Sequence, residues 1–362
     1  MMAPVIVFAN QDGMMINGNS DEEKPIGGSE RALIRMAAEM KRHGWETHVL
    51  CNCDKPGTYD GVEYAQVGDL NAQLAGLGRE IDVFVSSRCV IPFVGGRPPH
   101  CKRTVAWMHD VAIDGFFYGM ERAIPHIDNF FLLSEFQAEG YERTCHVPRG
   151  KIKITRNGVH EGEWAGVVAP KKRRHCIYCS GPRKGLDILL MLWPRIRARV
   201  PDATLDIYSG LNLYGKGEDK LTERNRANRA RAAEMYGLRM SEAIGRKEIL
   251  RAMMEADVLV YPNNMFLETY CMVAIEAERA GTAVVSSAQG ALPEVVTRGM
   301  GVLVDGPPYG KDYQARFVDE VVRMLTDDGY RAKFNNSPRD MSWSKVAEDW
   351  IGFFKEKGVE GL

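Results

Sequence analysis

The sequence predicts two α/β domains in succession, each built on a mostly parallel sheet with helices packed against it. Three observations lead there. A chain of 362 residues is longer than one hydrophobic core usually serves. Short apolar runs alternate with longer amphipathic ones, the pattern of βαβ units. The pattern stops in Asn157 to Lys172, a stretch rich in Gly, Pro and charge that reads as a linker, and restarts at His175. The expected division is 1–165 and 166–340, with 341–362 forming a last helix that packs back on the first domain.

Taken in order, the first strand is expected at Val5 to Phe8, followed by a long polar loop from Asn10 to Lys24. PIGGSE then opens a helix from Arg31 to His43, which Gly44 ends as a C-terminal cap. Further strands are predicted at Thr47–Cys51, Val83–Ser86, Arg103–Met108 and Asn129–Leu133. In the second half, strands are predicted at His175–Ser180, Thr204–Tyr208, Val258–Tyr261 and Ala283–Ser286, with a helix from Leu186 to Arg199. Asp219 to Arg239 is dense in Arg and reads as helical throughout; its charge is either a solvated face or a basic surface for an anionic acceptor. Trp343 to Lys355 is amphipathic and aromatic, as a packed terminal helix would be.

Composition narrows the class further. The hydrophobic fraction of 45%, the charged fraction of 26% and the net charge of -1 are those of an ordinary globular chain, with no global attraction for nucleic acid or anionic membrane. No apolar run is long enough to cross a bilayer, and MMAPVIVFAN lacks the features of a signal peptide, so the reading is cytoplasmic, with peripheral contact at a membrane surface left open. The 8 cysteines follow no zinc or disulfide spacing. Cys176 and Cys179 form a CxxC inside an apparent strand, where residues three apart face opposite sides; they read as reduced structural thiols.

The residues richest in chemistry lie between Tyr261 and Val296. Glu268 precedes an expected helix, and Glu276, with seven residues between them, falls about two turns inside it, so that the two would stack along one face. A carboxylate ahead of a helix is ordinarily a cap. Here both follow the carboxyl end of a predicted parallel strand, where open α/β sheets bind ligands. The amides of Tyr270 and Cys271 are expected to face a diphosphate, Glu276 to accept from a ribose diol, and Glu268 to face the sugar.

This stretch resembles the signature of retaining GT-B glycosyltransferases, notably glycosyltransferase family four. The resemblance is carried by Glu268, Tyr270, Glu276, Ala277, Ala280, Gly281, the run Thr282 to Ser286, and ALPE at Ala291 to Glu294. It departs at Cys271, where the family usually has Gly. PIGGSERALIRMAAEMKRHG resembles the family's Gly-rich loop and first helix, with Gly27 and Gly28 approaching the donor diphosphate. LLSEFQAEGY and the Asn157, Gly158, Val159 triplet resemble its serine-containing strand end and hinge. YCSGPRKGLDILL resembles its basic diphosphate clamp, with Arg183 and Lys184 neutralising the pyrophosphate. Cys179 and Ser180 stand where an earlier Arg is usual. His109 matches a family His that hydrogen-bonds the donor sugar, and Asp110 is expected to orient it or to contact the acceptor.

What the resemblance implies is a GT-B fold, two Rossmann-like domains facing a central cleft. It also implies metal-independent transfer of a sugar, with retention, from a nucleotide-diphosphate sugar, commonly of UDP or GDP. No cofactor is expected beyond the donor substrate. The usual pair of hydrolase carboxylates, one of them a nucleophile, is not apparent, so transfer on the donor's front face is expected. The sequence has no Asp-x-Asp triplet, no GxGxxG after its first strand and no GxxxxGK[ST]. The acceptor is unspecified: a glycan, a lipid-linked molecule or another hydroxyl, with nucleic acid left open. Asn10 to Lys24 and Ile113 to Arg122 are the expected acceptor-site walls. Two other readings stand beside this one: a different GT-B enzyme, such as an epimerase or a pyridoxal-phosphate phosphorylase, and a non-catalytic nucleotide-sugar binding protein.

Overall fold

A computed structural model describes the chain apart from residues 1, 25, 114–118, 211–219, 243, 265, 298, 335–338 and 360–362, and apart from the side chains of 220–222. The chain forms two units: residues 1–160 together with 341–362, and residues 161–340.

Among the described residues, unit 1 holds eight strands: β1 (Val5–Asn10), β2 (Glu46–Cys51), β3 (Gly57–Tyr59), β4 (Val62–Gln66), β5 (Ile81–Ser87), β6 (Cys101–Trp107), β7 (Asn129–Leu132) and β8 (Ile152–Ile154). They form one sheet in the order β3-β4-β2-β1-β5-β6-β7-β8, parallel except for the β3–β4 hairpin. β1 is buried along its whole length, because helices cover both faces of the sheet. The period of two along a strand divides its side chains between the faces. Ile6 and Phe8 join one cluster, with Leu33, Met36 and Met40 of the helix Gly28–Arg42; Val5, Val7 and Ala9 join the other, with Phe84, Phe93 and Tyr141.

The first cluster is completed from the far end of the chain. The helix Trp343–Glu356 contributes Trp343, Val346, Ala347, Trp350 and Phe354. The outgoing and returning segments touch where Val159 N–H donates to Met341 and Trp343 N–H donates to Val159, at 2.7 and 3.1 Å. Gly158 permits this contact, since a Cβ there would stand 2.6 Å from the Trp343 amide nitrogen.

Among the described residues of unit 2 there are six strands: β9 (His175–Cys179), β10 (Thr204–Tyr208), β11 (Leu238–Ser241), β12 (Val258–Tyr261), β13 (Ala283–Ser287) and β14 (Gly301–Val304). Their order is β11-β10-β9-β12-β13-β14, all parallel. The chain steps outward from β9 through β10 to β11, then returns to β12 on the other side of β9. The carboxyl ends of β9 and β12 are therefore a topological switch point, where neighbouring connections diverge and leave a crevice.

Two expectations need correction here. The Arg-rich stretch is not one helix: a helix covers Lys220–Ala233, and Leu238–Ser241 is strand β11, paired with β10. Gly237, in left-handed backbone at φ 69°, separates the two, and the edge position of β11 leaves its side chains half-exposed and polar enough to read as helix. The helix after Glu268 starts at Met272, with Cys271 as its N-cap, so Glu276 lies little more than one turn inside it. The free amides of the first turn thus begin after Tyr270. Part of the expected segment Ile113 to Arg122 lies outside the described residues.

Candidate active site

In unit 2 the residues singled out from the sequence gather at the switch point. β9 ends in Cys179, and the turn that follows carries Arg183 and Lys184 into the helix Leu186–Arg199. The buried Tyr178 hydroxyl fixes that turn by donating to the carbonyls of Gly181 and Lys184, at 3.0 and 3.1 Å. From β12, Tyr261 and a loop bring Glu268 alongside. Lys184 Nζ lies 2.7 Å from Glu268 Oε1, and the Tyr261 hydroxyl donates to the same oxygen at 2.5 Å. Burial, and then the Glu268 charge, push the Tyr261 phenol well above its ordinary pKa, so it remains a donor.

Glu268 is buried, whereas Lys184 is partly exposed and Arg183 lies open to solvent. Among the described residues Arg183 makes no ion pair; its guanidinium sits 5.7 Å from the Phe266 ring centre, with Lys184 Nζ at 5.2 Å from the same ring. Asn263 holds this loop by donating to the Phe266 carbonyl at 2.8 Å. The site therefore presents two cations beside a carboxylate that is already hydrogen-bonded twice.

Gly185 makes the juxtaposition possible. Its φ is 88°, and a Cβ there would stand 1.9 Å from the Pro262 carbonyl oxygen. Alanine at this position meets a rigid backbone in a left-handed conformation. We expect Gly185→Ala to destabilise unit 2 by about 2 kcal/mol or more and to weaken anion binding at Lys184; urea unfolding checks the first and calorimetric titration the second. Gly290 plays the matching part on the other side, since a Cβ there would lie 2.7 Å from the Glu268 carbonyl oxygen.

Glu276 does not share the partners of Glu268. Its Oε1 accepts from Arg246 Nη2 at 2.6 Å, and Arg246 Nε donates to Glu163 Oε2 at 2.5 Å. Burial opposes the charge on Arg246, but Glu276 and then Glu163 outweigh it and hold the guanidinium firmly protonated. Cys179 and Cys271 are both held as thiols, their pKa values raised first by burial and then by Glu276 and Glu268 respectively. All 8 cysteines are free. No group of side chains suited to a metal ion occurs among the described residues.

The remaining sequence-selected residues lie in unit 1. Gly27 is the N-cap of the helix Gly28–Arg42, and a Cβ there would meet the Glu30 carboxylate at 2.2 Å; at Gly28 the space is open. His109 follows the carboxyl end of β6, its ring 4.6 Å from that of Trp107. Burial, then the positive Arg88, lower its pKa to about 3, so the imidazole is neutral throughout the physiological range. Asp110 Oδ2 accepts from Arg88 Nε at 3.0 Å. Arg88, in left-handed backbone at φ 64°, also reaches the buried Glu30 at 3.4 Å. Gln137 fixes the backbone beside His109 by donating to the carbonyls of Met108 and Asp110.

Tyr261, Phe266, Arg246 and Glu163 were not foreseen as part of the site. Tyr261 and Phe266 flank Glu268 closely in sequence, but aromatic residues at a strand end and a loop give no signal apart from core packing.

The family model for glycosyl transferases group 1 matches residues 174–327. Over 187 residues the chain is 35% identical to a phosphatidyl-myo-inositol mannosyltransferase of Mycobacterium tuberculosis (strain CDC 1551 / Oshkosh), covering 50% of this chain and 46% of that protein. It is 28% identical over 210 residues to a D-inositol 3-phosphate glycosyltransferase of Mycobacterium sp. (strain JLS), covering 53% of this chain and 44% of the relative. The chain thus spans about half the length of the curated relatives it matches. Among solved structures, a sucrose-phosphate synthase from Thermosynechococcus elongatus superposes with a TM-score of 0.72 at 16% identity, over 98% of this chain and 100% of that one. Anabaena HepE in complex with UDP superposes with a TM-score of 0.67 at 14% identity, over 97% and 99%. At such identities the likeness concerns the fold. Residues 174–327 thus resemble the group 1 glycosyl transferases, and the chain that carries them has the GT-B fold.

Proposed function

We propose that this protein transfers a sugar, with retention, from a nucleotide-diphosphate sugar to a hydroxyl acceptor. The observation that carries the proposal is the pairing of Lys184 with Glu268, beside exposed Arg183, at the switch point of a parallel sheet. Two cations there match the charge of a leaving diphosphate, and stabilising charge that accumulates on a leaving group is a large catalytic effect. Arg183 offers a planar fork and Lys184 a point charge, so the diphosphate needs no divalent ion in this reading.

Glu268 receives hydrogen bonds from both Lys184 and Tyr261, and Glu276 from Arg246. A carboxylate occupied in this way is a poor nucleophile, which favours a front-face reaction over a covalent glycosyl intermediate. In that reaction the C1–O bond to the diphosphate breaks and the acceptor oxygen bonds to C1 on the same face. The departing phosphate oxygen takes the acceptor's proton. Glu268 holds sugar hydroxyls, Glu276 accepts from the ribose diol, and neutral His109 serves as a hydrogen-bonding partner of the sugar. Two relatives are named for inositol-containing molecules, one of them a phospholipid, which suggests a polyol hydroxyl, free or lipid-linked, as acceptor. No described helix is long and apolar enough to cross a membrane.

The test is thermal unfolding with UDP, GDP and their sugars, in the presence of a chelator. At one hundred times Kd a nucleotide that binds only the folded state adds about 2.7 kcal/mol, and Glu276→Ala is expected to abolish that gain. The nucleotide that stabilises names the donor base. An inverted anomeric centre in the product would rule out the front-face mechanism, and binding without turnover on any acceptor would favour a binding protein instead.

A further inference from the structure

Arg246 is the first residue of the helix Arg246–Glu255, behind Gly245, and its side chain is only 16% exposed. It lies between two carboxylates whose side chains are each 9% exposed: Glu276 on Nη2 and Glu163 on Nε. Glu163 belongs to the short helix Glu161–Trp164, which is fixed from another direction by Arg279, whose guanidinium reaches Glu161 at 2.8 Å and covers the Trp164 ring at 5.4 Å. Segments far apart in sequence thus converge on one guanidinium.

Fold stability alone is a weak account of this arrangement. A buried ion pair is commonly no more stabilising than well-packed apolar side chains of the same volume, while leaving either carboxylate unpaired is costly. The consequence of the arrangement for Glu276 is geometric. Oε1 is committed to Arg246, while Oε2 accepts no hydrogen bond among the described residues. A planar fork anchored at its other edge by Glu163 fixes the carboxylate plane and leaves one oxygen available in a set direction.

We propose that Arg246 is a positioning residue for nucleotide recognition: anchored by Glu163, it locks Glu276 so that Oε2 accepts from the vicinal hydroxyls of the donor's ribose. This rests on the donor-site reading above. Arg246 acts through Glu276, not by touching the nucleotide.

Calorimetric titration of the full chain tests this, with the stabilising nucleoside diphosphate and with its 2′,3′-dideoxy counterpart. Arg246→Lys retains the charge but cannot hold both carboxylates, and is expected to weaken the ribonucleotide about tenfold while leaving the dideoxy compound unchanged. Glu163→Gln should weaken the ribonucleotide in the same selective way. In a Glu276→Gln background, Arg246→Lys should cause no further loss, because the two residues act as one. Equal losses for both nucleotides, losses that add in the double variant, or wild-type affinity in Arg246→Lys would each overturn the assignment. Thermal midpoints of the unliganded variants identify any that fail to fold, in which case Glu163→Gln decides. A wild type that binds both nucleotides equally, or neither, would overturn the ribose role of Glu276 itself; a selective wild type with an indifferent Arg246 variant would overturn only this inference.

Discussion

Lys184→Ala is expected to lower kcat/KM for sugar transfer by about 10²- to 10³-fold, the range seen when one preorganised group that stabilises transition-state charge is removed. The expectation follows from two effects at one side chain. Lys184 supplies positive charge beside the leaving diphosphate, and it also holds Glu268 at 2.7 Å. Without it, Glu268 keeps the Tyr261 hydroxyl but loses the Lys184 ammonium that orients it while still buried. Both effects fall on the chemical step, and kcat should drop more than KM rises. Lys184→Arg keeps the charge and should retain part of the activity. Arg183→Ala removes charge from an exposed position and should act mainly on KM. Steady-state kinetics with the donor identified by thermal unfolding measure all three. A Lys184→Ala enzyme with wild-type kcat would show that the cation has no part in transfer.

Trp350→Ala is expected to cost unit 1 about 3–5 kcal/mol, as for other fully buried tryptophans truncated in a core. Its ring lies 4.9 Å from that of Trp107 and 4.6 Å from that of Phe131, both edge-on, and its indole N–H donates to Thr155 Oγ1 at 2.7 Å. Alanine would leave a cavity beside Phe8, Trp107, Phe131 and Phe354. Trp350→Phe would retain much of the apolar contact and lose the hydrogen bond, at about 1–2 kcal/mol. Because unit 2 has its own sheet and core, urea unfolding should resolve two transitions, of which only one moves. Equal shifts of both would mean that the units unfold as one.

The strands legible in the sequence are those buried on both faces. VIVFA, VFVSS and VLVY read as uninterrupted apolar runs because helices cover each side of the sheet. The strands that escaped notice are β3, β8, β11 and β14, which form the sheet edges, and β4 beside β3; all are short and keep side chains partly exposed, so none needs an apolar run. A comparable limit applies to the site. Glu268, Glu276 and Lys184 stand out because their spacing repeats a family pattern. Arg246 and Glu163 do not, because their roles arise from contacts across 30 and 83 residues that no local pattern encodes. The pairing of Asp110 with Arg88, across 22 residues, is illegible in the sequence for the same reason.

The return of the chain to unit 1 after unit 2 also imposes an order of birth. Trp343, Trp350 and Phe354 are translated only after residues 161–340, so the first sheet emerges from the ribosome with one face covered by the helix Gly28–Arg42 but lacking its terminal helix. Unit 2, by contrast, is contiguous and can close as soon as its own last strand is out. The portion synthesised first is therefore finished last, and for that interval Phe8, Trp107 and Phe131 wait without the aromatic partners that the terminal helix brings.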